Sequence, residues 1–463
     1  MMTRRENHQL SMFTTSLEEV VPQDHFLRKL AARVNFGFVY EELAPYYCPN
    51  NGKPSIDPVV ITKQLLIGFL YGINSERRLE EECKYNVAYR WFLGLSFDEK
   101  IPDHSTISQL RRRKFNDADL FKKLFAQVLR LCVEARLVSG KLLLTDSTHI
   151  KANASKTSKT TVVIEREMAE YFTRLDAYES EERERLGMPE IARKLPKTKQ
   201  TEQTQSTTDT EAGWLARPSK PEGFHYLSHQ TLDSENGIII DIAVTAANIS
   251  DNVPYLEQIE RSIETLEEME IHVQAVAADS AYDTAMIHKQ LNERELAVYM
   301  PKKETGGNSK TEFSRDDFRY DPEKDEFTCP NGETLRFGCL QRPEYGVLRE
   351  YRGTPKVCKA CLLREKCLAP SQRTRAIRVN IFQNIVDKHH ETDGSPEHNA
   401  ALNNRQIWCE GTFANQKSKH NLKQLFRRGL KAATDHCLLS ACAVNLKRLI
   451  KHSARDIECT ARA

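Results

Sequence analysis

The chain has 463 residues, 40% of them hydrophobic and 29% charged, with a net charge of +2; this composition excludes a disordered or collagen-like chain and leaves room for several cores. A near-neutral total also excludes a uniformly basic coat, so any nucleic-acid surface must come from local clustering. The run QLLIGFLYGI is too short to span a bilayer, and no apolar run follows the N-terminal MMTRRENHQL, so a cytoplasmic protein without a membrane partner is expected.

Residues 1–139 read as an all-α domain. Asp57 and Pro58 supply a cap and a first-turn proline ahead of VVITKQLLIGFLYGI, and Ser75 caps ERRLEEECK. Ser105 or Thr106 is expected to open a helix carrying Arg111, Arg112 and Arg113, which present either a solvated face or a DNA-contacting one. Leu120, Leu124, Val128 and Leu131 recur at helical spacing in an amphipathic core helix.

At Gly140 the period changes. KLLLTD suits a buried strand ending at Asp146 and opens a second domain, 140–299. Within it, residues 162–195 are charged enough for an exposed helix, and 196–213 are expected to be a flexible loop. FHYLSHQTLD and GIIIDIAVTAAN, separated by turn residues, predict a hairpin. A helix over VPYLEQIERSIETLEEM, a strand ending at Asp279, a helix from Thr284 and a short strand LAVYM complete a mixed sheet covered by helices. Both aspartates are thereby expected at carboxyl ends of strands, where open α/β sheets bind ligands.

Residues 300–404 form an insertion with a second cluster. Cys358 and Cys361 make a CxxC, Cys367 follows, and Cys329 stands upstream in a CPNG turn, with Cys339 as a spare. Four thiolates suit a structural zinc site; the bland alternative is a set of reduced cysteines on a small β-rich unit. Residues 405–463 return to helix. In RQIWCEGTFANQKSKHNLKQLFRRGL, Glu410, Lys417 and Asn421 fall close to one face of a single basic helix running to Lys431, with Lys423, Arg427 and Arg428 along it. Read alone, Glu410 and Lys417 are more simply a solvated face.

The ordered set PDHSTISQLRRR, TDSTHIKANASK, GFHYLSHQTLD with VTAANISDN, AADSAYDT and CEGTFANQKSKHNLKQLFRRGLKAATDH closely resembles the DDE transposases of bacterial insertion sequences. The branch is the one with an InsH-type helical N-terminal domain and a Cys-rich insertion before the last catalytic Glu. The resemblance runs from about Phe13 to about Lys447. It implies an RNase H-like fold whose acidic triad is Asp146, Asp279 and Glu410, with Lys417 assisting. The family's last motif commonly has Tyr seven and Arg four residues before the Glu; here Asn403 and Gln406 stand in those places, with Arg405 one residue early.

The implied chemistry is cleavage at the element's ends followed by strand transfer to target DNA. Three carboxylates suit two Mg²⁺ or Mn²⁺ ions, hard cations that prefer oxygen ligands and line up an in-line displacement at phosphorus. Arg111, Arg112, Arg113, Lys423, Arg427 and Arg428 are the expected phosphate contacts on double-stranded terminal-repeat and target DNA, with the protein acting as a nucleoid-associated homodimer. Tyr282 is read as a packing or positioning residue rather than a nucleophile, and His149 as structural rather than a base. Two readings of other classes stay beside this one: an inactive DNA-binding regulator, and a zinc-dependent interaction protein.

Overall fold

Asp57 accepts a hydrogen bond from the Val59 amide and Pro58 takes the first helical position, so the helix Pro58–Leu70 starts where its capping residues require. Every residue of that helix but Lys63 is buried, as befits a helix apolar on all sides. The computed structural model describes residues 16–48, 55–167, 169–191, 198–216, 222–303, 311–343 and 346–460. The amphipathic helix Leu120–Glu134 and the long helix Leu430–Thr460 pack together, and the latter also lies on the Pro58–Leu70 helix. One apolar core runs without a break from Val21 through the sheet to Leu449. The N-terminal helices therefore share their interior with the sheet and the C-terminal helix.

The strands, in chain order, are β1 (Leu143–Lys151), β2 (Lys159–Glu167), β3 (Thr198–Ser206), β4 (Gly213–Leu215), β5 (Gly223–Asp233), β6 (Ile239–Ala246), β7 (Ala275–Ala277) and β8 (Ala297–Tyr299). β6, β5 and β1 pair antiparallel, and β1, β7 and β8 pair parallel. This is an RNase H-like sheet, order β6-β5-β1-β7-β8, with β4 paired to the start of β5 beyond β6. β5 is buried along its whole length, as a central strand must be. Helix Asn252–Glu267 packs on β5 and β6, while helix Pro396–Arg405 lies over β1, β7 and β8.

Three sequence expectations change here. β1 does not end at Asp146 but continues to Lys151, because β5 pairs with it over all nine residues. The expected loop at 196–213 is largely strand. Its described part supplies β3, paired in full register with β2, and β4; TKQTEQTQS, polar as it is, carries β-favouring Thr at 198, 201 and 204 and meets its backbone hydrogen bonds on β2. β2 also occupies the start of the stretch expected as one charged helix, which is confined to Ala169–Arg185. Residues 168 and 192–197 of those two stretches lie outside the described residues.

The insertion builds its own antiparallel sheet from β9 (Arg319–Asp321), β10 (Glu326–Thr328), β11 (Thr334–Gln341), β12 (Leu348–Arg352) and β13 (Ala376–Asn380), ordered as numbered. Phe318, Phe327, Leu335, Tyr351, Ile377 and Val379 form its separate core, which agrees with the β-rich unit expected. Among the described residues no helix is long and apolar enough to cross a membrane.

Candidate active site

Parallel pairing sets Leu143 opposite Val276 and Leu144 opposite Ala277. Two residues further along each chain, the same register brings Asp146 level with Asp279. Asp146 is mid-strand, and Asp279 lies just past the end of β7. The Asp146 carboxylate accepts a hydrogen bond from the Ser147 amide at 2.7 Å and forms an ion pair with Arg405 at 2.9 Å. Burial pushes its pKa up to about 6, against the lowering effect of Arg405, and the charges of Asp279 and Asp251 push the same way as burial. The Asp279 carboxylate accepts from the Ala281 amide at 2.8 Å. A third carboxylate, Asp251, accepts from the Ser147 hydroxyl at 2.8 Å and lies 3.8 Å from the His229 ring, whose pKa burial lowers to about 4.

The helix Pro396–Arg405 passes into a π turn, Gln406–Glu410, before the helix Gly411–Lys419. A π turn holds one residue more than an α turn. Arg405, five residues before Glu410, therefore takes roughly the place that residue 406 would occupy in an α-helix, and its guanidinium reaches Asp146. The Glu410 side is held from behind. Arg448 hydrogen-bonds the Gly237 carbonyl and the Thr412 hydroxyl and lies over the Trp408 ring, 5.4 Å from its centroid. Cys409 is fully buried, and Glu410 beside it is exposed. Among the described residues, Asp146, Asp279 and Glu410 do not form a closed cluster with ligand atoms all within 4.8 Å of one another.

The expected basic helix is broken. It stops at Lys419; Asn421 has a φ of 62°, and the next helix begins at Leu430. The cause is docking: His420 bonds the Phe69 carbonyl at 2.7 Å and the Asn421 amide group bonds that of Gly68 at 3.1 Å, tying the segment to the Pro58–Leu70 helix. Lys423 and Arg428 remain exposed. Arg427 does not belong with them, since it is half-buried and paired with fully buried Asp435 at 3.7 Å. Arg111 likewise departs from its expected role. It is 5% exposed, turned inward on the π turn Arg111–Phe115 and paired with Glu76 at 2.6 Å. Arg112 and Arg113 are exposed. The helix before them is capped by Asp103, ahead of the Ser105 or Thr106 expected to open it. Lys417 is half-buried; the pKa of His225 is lowered first by burial and then by the charges of Lys151, Lys156 and Lys417. Tyr282 is buried against Tyr255, with ring centroids 4.8 Å apart and its phenol pKa raised far above the usual value by burial. His149 meets the His225 ring edge-on at 6.3 Å.

Residues 15–113 match the family model described as a transposase domain (DUF772), and residues 328–450 match the transposase DDE domain. Both matches are to transposase families, and they support a DDE transposase of insertion-sequence type. No curated relative matches it. A cryo-EM structure of a piggyBac transposase synaptic complex with hairpin DNA aligns with 94% of this chain and 77% of that one, at 10% identity and a TM-score of 0.37; the assignment does not rest on it.

In this transposase the DDE-domain match contains Glu410 and the cysteine cluster. Cys329, Cys358, Cys361 and Cys367 line one cavity of about 40 Å³, and the Cys367 thiol is pushed up first by burial and then by the other three as neighbours. Their sulfurs also do not close to within 4.8 Å as a set. Cys339 lies apart, its thiol directed to Glu350 at 4.0 Å. Asp251 was missed because nothing in ISDN marks a carboxylate; only the helix packed on β5 and β6 carries it to Ser147.

Proposed function

We propose that this transposase cuts double-stranded DNA at the ends of its element and joins the freed ends to target DNA, using Asp146, Asp279 and Glu410 with divalent metal. The observation that carries this reading is the level pair Asp146 and Asp279, carried by adjacent parallel strands, with Arg405 as the cation paired to Asp146. Two partly buried, neighbouring carboxylates repel, and a divalent cation relieves that repulsion; the all-oxygen donor set fits Mg²⁺ or Mn²⁺, of which two are expected. The metal would activate a water or a DNA hydroxyl and stabilise the leaving oxygen. The chain's own part is to hold the donors. Ser147 and Arg405 orient Asp146, the Ala281 amide orients Asp279, and Arg448 fixes the turn that carries Glu410.

DNA would lie along the exposed edge that bears Lys151, Lys417, Lys423 and Arg428, with Arg112 and Arg113 on the N-terminal helices as a second contact. Residues 1–139 would serve end binding and assembly, 140–299 with 405–463 the chemistry, and 300–404 would be an accessory insertion. The protein would act as a homodimer holding two ends, among the DNA of the nucleoid. The test is single-turnover nicking of a terminal-repeat duplex in Mg²⁺. Asp146→Asn, Asp279→Asn and Glu410→Gln should each abolish nicking while leaving end binding within a fewfold of wild type. Near-normal nicking by a variant removes that residue from the site, and a wild-type protein that binds but never nicks returns the chain to the regulator reading.

A further inference from the structure

A second cluster lies one turn past Asp279. Asp283, His288 and His390 each offer a ligand atom, and those atoms all fall within 4.8 Å of one another. The Nε2 atoms of His288 and His390 approach the same carboxylate oxygen, Oδ1 of Asp283, at 2.8 and 3.1 Å. All three side chains are close to nine-tenths buried or more, at 8%, 1% and 11% exposure. They come from different parts of the chain: the loop after Asp279, the helix Ala285–Glu293, and the helix Gln383–His390 at the end of the insertion.

The outward atoms of the same groups are also held. Nδ1 of His390 lies 2.9 Å from Asp393, whose other oxygen is 3.2 Å from His398. Nδ1 of His288 lies 2.7 Å from Nδ1 of His389, and Oδ2 of Asp283 accepts the Lys303 amide at 2.7 Å. Ligating histidines characteristically donate their second ring N–H to a carboxylate or similar acceptor, which fixes the tautomer and aims the free nitrogen at the metal. His390 faces a carboxylate oxygen from each ring nitrogen, Oδ1 of Asp283 and Oδ2 of Asp393, so an ion held at Nε2 would leave Nδ1–H to Asp393.

We propose that Asp283, His288 and His390 bind one borderline transition-metal ion of the zinc class, separate from the hard cations assigned to the carboxylates, and that this ion clamps the insertion to the catalytic sheet. Two imidazoles and one carboxylate form a donor set that suits zinc and not magnesium. The clamp joins the segment that carries Asp279 to the chain that leads, through the helix Pro396–Arg405, to Arg405 and Glu410. The ion therefore ties down both sides of the catalytic site.

The experiment uses the full chain, stripped with a chelator and titrated with Co²⁺, which reports its ligands by its spectrum. Cobalt on thiolates gives intense near-ultraviolet charge-transfer bands, whereas cobalt at this site gives visible d–d bands without them. The expected result is about one equivalent of the thiolate-free signal, unmoved by a large excess of Mg²⁺. It should be lost in His390→Gln and weakened about 10–100-fold in Asp393→Asn, which alters only the outer partner. Circular dichroism confirms that the titrated variants are folded, and Asp393→Asn decides if His390→Gln is not. An unchanged signal in the folded variants, displacement by Mg²⁺, or no thiolate-free signal in wild type overturns the proposal.

Discussion

Asp146 holds a negative charge that the fold does not favour. Its pKa of about 6 stands above the unfolded value of about 3.9, so between those values the folded protein binds more protons than the unfolded chain. The sign follows: the folded state loses stability as pH rises through that window. Asp146→Asn should therefore stabilise the metal-free protein at pH 7 by up to roughly 2–3 kcal/mol, with the gain vanishing below about pH 4. Thermal melts at the two pH values check this, and an asparagine variant less stable than wild type at pH 7 refutes it. Arg405 is the opposing charge. Its replacement by Gln should raise the Asp146 pKa further and shift the pH dependence of divalent-ion binding upward, whereas Lys should largely keep it in place; equal profiles for all three proteins would disconnect the pair. Gly237 makes a different kind of residue-scale demand. Its φ is 68°, and an added Cβ would meet the Trp408 ring at 2.3 Å. Gly237→Ala should cost on the order of 1–3 kcal/mol and slow nicking by displacing the turn before Glu410; a melt and a nicking rate both equal to wild type would show that the contact yields freely.

Docking governs two elements of the C-terminal region. The C-terminal helix attaches to β6 through Asn445, whose side chain bonds both the amide and the carbonyl of Ile239 at 2.9 Å. Asn445 is fully buried, so Asn445→Leu leaves two backbone groups unsatisfied at a cost of about 1–3 kcal/mol each. A fall in denaturation midpoint of that order, with an unchanged slope, is the expected reading. The basic stretch after Lys417 shows helical spacing on paper but breaks where His420 and Asn421 bind the Pro58–Leu70 helix. Its charges accordingly divide. Lys423→Ala and Arg428→Ala should weaken specific and random DNA alike and lower the salt slope by about one each. Arg427→Ala and Arg111→Ala should leave the salt slope alone and lower stability, since one removes a partner of buried Asp435, which keeps Lys431, and the other leaves a buried site next to half-buried Glu76 without its cation. A reversed pattern in salt titrations would place the DNA elsewhere.

Across the whole molecule, the insertion stands apart from the main core, with six buried apolar residues in one cluster and Leu340, Val347 and Ile381 in a second. Small units of this kind commonly need a metal or disulfides to hold them. The four cysteines around one cavity are the means available, and burial keeps Cys367 protonated in the metal-free state. Zinc binding there should release protons and raise the protection of β9–β13 amides from hydrogen exchange, and Cys358→Ser should abolish both effects. Protection that is the same with and without zinc would return these residues to the role of reduced thiols.

Much of this protein was legible in its residues. Caps at Asp57 and Ser75, the apolar hairpin, the helix after Thr284 and the two strand-borne aspartates follow from local rules, because capping, alternation and turn chemistry act within a few residues. The spacing of Glu410 and Lys417 could be read the same way. What lay beyond reach involves partners distant along the chain. Whether Arg111 and Arg427 face DNA or an acid of the fold depends on where Glu76 and Asp435 end up. Whether TKQTEQTQS is strand or loop depends on β2. Arg405 looked misplaced by one residue because counting assumes an α-helix, and the π turn that corrects it is invisible to a period of 3.6. The meeting of Asp283 with His288 and His390 joins positions 107 residues apart. Local free energies of the backbone are written in short stretches of sequence, while the contacts that aim a charge inward or gather ligands are settled only when the chain has closed on itself.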